Sequence, residues 1–288
     1  MNQSIRKPAI AGTFYPAQAQ ALRTELEHSF THAIGPGILP NLNPSGPRRI
    51  VGVVSPHAGY VYSGPVAAHS FAALAADGRP EVVILIGPNH QGMGAEVAID
   101  SSSSWATPLG IVEVDVRLGD AIQSNSRKAK LDRASHVHEH SLEIQLPFLQ
   151  YIYGDGIRIV PIIMNSQDLE TSADLGRALA YAGSDLNMVI VASTDLTHYQ
   201  RQEKAVETDQ LVLESIIRMA PADLLKTVSK EHITMCGPGP VAAMLVAAQI
   251  LGAVRARVLS YATSGDTSGD YSRIVGYGAA EVSRGARE

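Results

Sequence analysis

A single cysteine, Cys236, stands among the 288 residues, so an internal disulfide is excluded and a reducing compartment is implied. Large aromatics are also scarce, with one Trp and four Phe, which leaves Val, Ile, Leu and Ala to build the core. Basic residues number 23 against 28 acidic ones, and a balance of that sign offers no footprint for nucleic acid or an anionic membrane. No apolar run approaches the roughly 20 residues that span a bilayer. The opening Met-Asn-Gln-Ser-Ile-Arg-Lys-Pro lacks the apolar centre of a signal peptide. These absences predict a cytoplasmic protein with neither a nucleic-acid nor a membrane partner. Hydrophobic residues make up 45% of the chain and charged ones 18%, proportions that suit a packed soluble domain.

Punctuation by Gly and Pro divides the chain into alternating apolar runs. Residues 6 to 16 form a turn-bounded entry segment, Ala17–His32 has helical spacing, and Gly35–Pro47 is a Gly/Pro/Asn-rich surface loop. Strand-like and helix-like runs then alternate: strand Arg49–Val54, helix Pro65–Ala76, strand Glu81–Ile86. Ala95–Asp100 and Ile111–Asp115 read as more exposed strands around Ser101–Gly110, whose four serines read as a solvated loop. Helices follow at Leu118–Ser124 and His138–Tyr153, with Pro147 expected to kink or end the second. Beyond them lie strand Ile157–Met164, helix Asp168–Ala182, strand Met188–Ala192, and helices Glu203–Met219, Ala222–Lys230 and Val241–Leu251. Val258–Tyr261 and Ile274–Val282 close the chain as strands. Continuous Val/Ile strands alternating with helices predict an α/β fold with a mostly parallel sheet covered on both faces. No internal repeat or linker follows residue 50, so residues 1–288 are expected to form one domain.

Three of these strands end in polar clusters that contain histidine. They are Ser55-Pro56-His57, Gly87-Pro88-Asn89-His90 and Ser193-Thr194-Asp195-Leu196-Thr197-His198. Parallel strands present their carboxyl ends along one edge, where open α/β sheets bind ligands. His57, His90, Asp195 and His198 are therefore expected to converge in one crevice, and imidazole is a common ligand of Zn, Cu, Fe and Ni. Cys236 precedes Gly237-Pro238-Gly239-Pro240 and an apolar helix. A thiol beside a helix N-terminus is expected to have a lowered pKa and to serve as ligand or nucleophile; a small buried hydrophobe is the other reading.

Two further motifs carry less. Gly237-Pro-Gly239-Pro-Val-Ala242 fits G-x-G-x-x-A, but its prolines remove donors that a pyrophosphate needs and no acidic residue follows about twenty positions on. His136-Val-His138-Glu-His140 resembles a metal-binding run. On a helix its imidazoles diverge, so His136 is expected at the surface and His140 at the pocket, with Glu139 or Glu143 behind it.

The entry segment Arg6–Pro16, Ser55–Gly64, Gly87–His90, Glu139-His-Ser-Leu-Glu143, Ser193–His198, Cys236-Gly237 and the closing Ile274-Val-Gly-Tyr277 together resemble the Memo family. In prokaryotes this family is also called AmmeMemoRadiSam system protein B. The resemblance spans nearly the whole chain. It implies a three-layer αβα sandwich with a mostly parallel or mixed central sheet, like the class III extradiol dioxygenases, which cleave catechol rings with nonhaem Fe(II). By motif, His57, His90 and Cys236 match the metal site, and Asp195 and His198 match the residues opposite, His198 in the place of the acid/base histidine.

Where those dioxygenases carry a carboxylate, the matching ligand here is a thiolate, which is softer and itself oxidisable. The resemblance thus implies a metal-binding oxidoreductase, dioxygenase-like, with Fe(II) as cofactor and Cu or Zn as alternatives. His198, oriented by Asp195, would move the proton of a small aromatic substrate, with Tyr60 and Tyr62 beside the ring. A non-catalytic metal-binding or signalling protein with a vestigial pocket is a second reading; the family name then implies radical-SAM and AMMECR-type protein partners. A hydrolase using metal-bound water or Cys236 is a third.

Overall fold

The computed structural model describes residues 4–285; residues 1–3 and 286–288 lie outside it, and with them the first residues of the opening segment. The strands are β1 (Ile5–Arg6), β2 (Ile50–Ser55), β3 (Val82–Pro88), β4 (Val97–Ile99), β5 (Ser104–Thr107), β6 (Gly110–Val114), β7 (Ala129–Leu131), β8 (Arg158–Met164), β9 (Met188–Ser193), β10 (His198–Gln200), β11 (Arg255–Thr263) and β12 (Ile274–Ser283). The helices are α1 (Ala19–Thr31), α2 (Tyr60–Asp77), α3 (Val116–Asn125), α4 (Leu146–Tyr153), α5 (Leu169–Ala182), α6 (Gln202–Ile217), α7 (Pro221–Lys230), α8 (Pro238–Ile250) and α9 (Ser264–Ser268).

One mixed sheet runs β1-β5-β6-β8-β3-β9-β2-β12-β10, with β11 also on β12 and the β4–β7 pair beside β8. At its centre β6, β8, β3, β9 and β2 are all parallel, whereas β12 runs antiparallel to β2. Side chains alternate across these strands. Val82, Ile84 and Ile86 join a core with α3, α5, α6, α7 and α8, while Val83 and Leu85 join one with α1, α2 and α4. The result is the expected three-layer αβα sandwich. Both faces are covered, so the central strands are apolar without interruption. Among the described residues no helix is long and apolar enough to cross a membrane.

Register decides where the chemistry can sit. Ser55 pairs with Ser193 across β2 and β9, and Ile86 pairs with Ala192 across β3 and β9. Three adjacent parallel strands therefore end level with one another, and the residues that follow each must share one edge.

Several local expectations are corrected. Helix α2 begins at Tyr60, five residues before Pro65, because Gly59 caps it and Ser63 N–H reaches the Gly59 carbonyl at 3.0 Å. The His138–Tyr153 segment is α-helical only from Leu146, after a 3-10 turn at Glu143–Gln145, with Pro147 in the first α-turn, where a missing N–H costs nothing. The serine run is not a solvated loop: Ser102 is buried and bonds Asp100 through both N–H and hydroxyl, and Ser104 opens β5. Strand β4 is fully buried rather than exposed. His136 is also buried, its Nε2 3.1 Å from the Ala98 carbonyl and its ring against Trp105.

The entry segment is fixed by one buried carboxylate. Glu143 accepts hydrogen bonds from Arg6 Nη1 (2.5 Å), Ala9 N (2.8 Å), Ile10 N (3.1 Å) and Tyr15 Oη (2.6 Å). Arg6 also donates to the carbonyls of His136 and Glu139 and lies 4.1 Å over the Trp105 ring. Both ends of the ion pair are shut off from water, so removing one strands the other as an unpaired buried charge. We expect Glu143→Ala to lower unfolding stability by about 3–5 kcal/mol in urea titration; a loss near zero would contradict this account of the pair.

Candidate functional site: a histidine and thiol cluster at the strand ends

Two imidazole rings and one thiol meet at the edge where β2, β3 and β9 end. His57 follows β2, His90 follows β3, and Cys236 sits just before α8. Their ligand atoms, two imidazole nitrogens and Sγ, all lie within 4.8 Å of one another. Cys236 Sγ is 3.2 Å from His57 Nε2. The loop carrying the thiol can come this close only because Gly237 has no side chain: a Cβ there would stand 2.8 Å from the Ser193 carbonyl oxygen. The Gly-Pro-Gly-Pro run is thus a packing device, and no nucleotide loop.

Hydrogen bonds fix which nitrogen of each ring is free. Ser193 Oγ has one proton, which goes to the Ser141 carbonyl at 2.6 Å, and it accepts from Gln145 Nε2 at 2.8 Å. His57 Nδ1, 2.9 Å from the same oxygen, must then be the donor. That tautomer leaves the His57 Nε2 lone pair facing the thiol. His90 Nδ1 is 2.9 Å from the Glu139 carboxylate, which leaves its Nε2 free in the same way. Glu139 also accepts from the backbone N–H of His90 (2.6 Å), His140 (2.9 Å) and Ser141 (2.9 Å). His198 Nδ1 is 2.9 Å from both the Leu196 and Thr234 carbonyls, so it too carries its proton on Nδ1.

Asp195 does not orient His198, contrary to expectation. Its carboxylate accepts the His57 backbone N–H at 2.7 Å, and its own N–H points at Cys236 Sγ at 3.1 Å. It holds the backbone of one site residue and donates to the sulfur of another. His140 stacks on His90 with centroids 4.5 Å apart and meets His57 edge-on at 5.5 Å. Tyr60 is not at the pocket: it is buried in the core, with its hydroxyl on the Ile144 carbonyl at 2.7 Å. Tyr62 does line the cleft, with Phe14, His198, Tyr199 and Tyr277. The cleft above the cluster has a volume of about 780 Å³, within the range of small-molecule sites.

Burial sets the electrostatics. His57 is held well below the usual imidazole value by desolvation, then by His90, His140 and His198. His140 is lowered by desolvation and His90. Desolvation pushes Asp195 up to about 6 against the opposing His57 N–H. Glu139 goes the other way: desolvation raises it, but the His90 ring and the backbone donors together hold it at about 2. The Cys236 thiol is pushed up by desolvation and by the Asp195 charge, not lowered as its place before α8 suggested. A helix N-terminus is worth a fraction of what burial costs a thiolate. Sequence reasoning missed the roles of Ser193, Gln145, Thr234 and Phe14, which act through contacts with distant segments; Ser193 and Phe14 lay inside motifs already singled out, Gln145 and Thr234 did not.

The sequence profile of a family described as Memo-like protein matches residues 6–281. The chain belongs to the Memo family. It is 46% identical over 282 residues to a MEMO1 family protein of Methanopyrus kandleri, covering 97% of this chain and 99% of that one. A MEMO1 family protein of Ignicoccus hospitalis is 47% identical over 277 residues, covering 96% and 97%. Among solved structures, an uncharacterized protein of Escherichia coli K12 superposes with a TM-score of 0.53 over 81% of this chain and 99% of that one; at 14% identity the likeness is one of fold.

Buried imidazoles, in the cluster and beside Trp105, make the stability of this Memo-family chain pH-dependent. His57, His136 and His140 are each lowered, with desolvation the largest cause. They bind protons less readily folded than unfolded. Their contribution is therefore complete above the ordinary value of 6.5 and is lost as pH falls below it. Asp195 opposes this: raised from 3.8 to about 6, it carries a penalty above about 6 that is relieved as pH falls. Three imidazoles outweigh one carboxylate. Metal-free protein should lose about 1–3 kcal/mol of unfolding stability from pH 7 to pH 5 in urea titrations; stability that rises over that range would contradict the assignment.

Proposed function

We propose that this Memo-family protein binds one metal ion, Fe(II) in the first instance, through His57 Nε2, His90 Nε2 and Cys236 Sγ. On this reading it is a nonhaem-iron oxidoreductase of the dioxygenase-like type, acting on a small aromatic substrate. The observation that carries the reading is the fixed tautomer of both rings: each spends its Nδ1 proton on a buried acceptor and turns a lone pair toward the thiol. Metal-ligating imidazoles are oriented in this way by carboxylates and other second partners.

The donors suit such an ion. Two neutral imidazoles and a thiolate satisfy Fe(II), Zn or Cu(I), and the Asp195 N–H directed at Sγ supports the anionic sulfur. The thiol, raised by burial, would release its proton on coordination. When bound, the ion would supply Lewis-acid and redox chemistry at the cleft floor. Cu or Zn on the same donors is the alternative cofactor.

The protein's own residues do the rest. His198, with Nδ1 committed to two carbonyls, keeps Nε2 for the proton of a substrate hydroxyl. Phe14, Tyr62 and Tyr277 line the cleft and supply the apolar faces against which a flat ring would pack. A lone cysteine in reduced form suits a cytoplasmic setting.

Oxygen uptake by Fe(II)-reconstituted protein with a panel of catechols tests the activity. We expect uptake in wild type and a fall of about 10²–10⁴-fold in His198→Gln, with iron content unchanged. No uptake with any member of the panel, or uptake indifferent to His198→Gln, would refute the reading.

A further inference from the structure

The cleft continues outward from the metal cluster to a rim whose composition says what the far end of the substrate carries. Arg273 is the sole Lys or Arg lining it among the described residues. Its side chain is exposed, and its guanidinium lies 5.4 Å from the centroid of the Tyr199 ring. Among the described residues it makes no salt bridge, although Asp270 shares the same wall. The Asp270 carboxylate is instead engaged with Ser272, accepting from its N–H at 2.9 Å and its hydroxyl at 2.6 Å. The guanidinium thus lines the cleft beside Tyr199 with no ion-pair partner among the described residues, and its five donors are available to a planar anion.

The backbone under this pair is also special. Tyr199 adopts φ +60°, a left-handed conformation that a residue with a bulky side chain rarely takes. It does so at the break in the β10–β12 register between His198 and Gln200. Such irregularities re-aim side chains beside functional sites. Here, the break puts the Tyr199 ring under Arg273 and leaves the neighbouring His198 facing the metal cluster. One short strand thus sets both the proton-accepting ring and the platform for the cation.

We propose that the substrate is a hydroxylated aromatic carrying a carboxylate, and that Arg273, supported on Tyr199, is the residue that binds that carboxylate. This rests on the functional reading above, since it places the hydroxyl end at His198 and the metal ligands. A carboxylate fits better than a phosphate because there is one cation and Asp270 stands close by, so a dianion meets repulsion that a monoanion largely escapes.

Binding decides the matter without turnover. Isothermal titration of the full chain, metal-free and Fe(II)-loaded under anaerobic conditions, would compare 4-hydroxybenzoate with its neutral analogue 4-hydroxybenzamide and with phenyl phosphate. We expect wild type to prefer the carboxylate over the amide by about fivefold to tenfold, in keeping with one charge-assisted contact at a wet rim. Arg273→Gln should bring the two to parity, and Arg273→Lys should restore part of the preference. Tyr199→Gly should lose part of it without loss of stability, since glycine tolerates the backbone angle. Equal affinities in wild type, a preference that survives Arg273→Gln, or no binding of either probe would overturn the proposal. Tighter binding of phenyl phosphate than of the carboxylate would overturn the choice of anion. A preference ratio near one in protein that loads iron defeats this inference alone, whereas failure to load iron defeats the functional reading whatever the ratio.

Discussion

The site depends on three parallel strands that end level and on one hydroxyl that ties the ends of two of them, β2 and β9, to the segment before α4. Ser193, at the last position of β9, accepts from His57 Nδ1 and from Gln145 and donates to the Ser141 carbonyl. Gln145 in turn donates to the Pro56 carbonyl at 2.9 Å. The turns after β2 and β9 and the segment before α4 are thereby closed around one buried oxygen. Inside a protein, such a connected network is rigid and costly to break, although the Gln145 Oε1 atom is buried without a partner. A slip of one residue between β2 and β9 would send His57 to the opposite face. The hydrophobic alternation that packs two helical layers is therefore also what aims the imidazoles.

A second constraint comes from far away in sequence. The entry segment reaches the site only because Arg6 finds Glu143, 137 positions on, and in doing so it brings Phe14 against His140, with ring centroids 5.0 Å apart. The segment is thus a wall of the cleft, built from residues that do no chemistry. Glu139 and Glu143, four apart, divide the labour: one orients His90, the other anchors the wall.

Much of this was legible in the residues themselves. Strands of unbroken Val and Ile announced a buried parallel sheet, and polar clusters at three strand ends announced a shared edge, because the geometry of parallel strands leaves little choice. What was not legible depended on contacts between remote segments. The helical pattern from His138 failed because Pro147 and the hydrogen bonds of Glu139 to successive N–H groups hold the chain in tighter turns until Leu146. Tyr60 sits beside a site histidine in sequence, yet the start of α2 turns it into the core. The thiol of Cys236 went the opposite way from its expected shift, since desolvation by β9 and its loop outweighs the helix end beside it. Arg273 left no signal at all: an exposed arginine near a closing strand becomes notable only when the cleft beneath it is seen.

The central claim is that two imidazole nitrogens and one sulfur hold a single ion. X-ray absorption of protein loaded with Zn(II) or Fe(II) under anaerobic conditions tests this directly. The account predicts one sulfur scatterer, at about 2.3 Å for zinc, with nitrogen scatterers at about 2.0–2.1 Å carrying the outer-shell pattern of two imidazoles. The sulfur contribution should vanish in Cys236→Ser. A first shell of oxygen and nitrogen alone in the wild-type protein would contradict it.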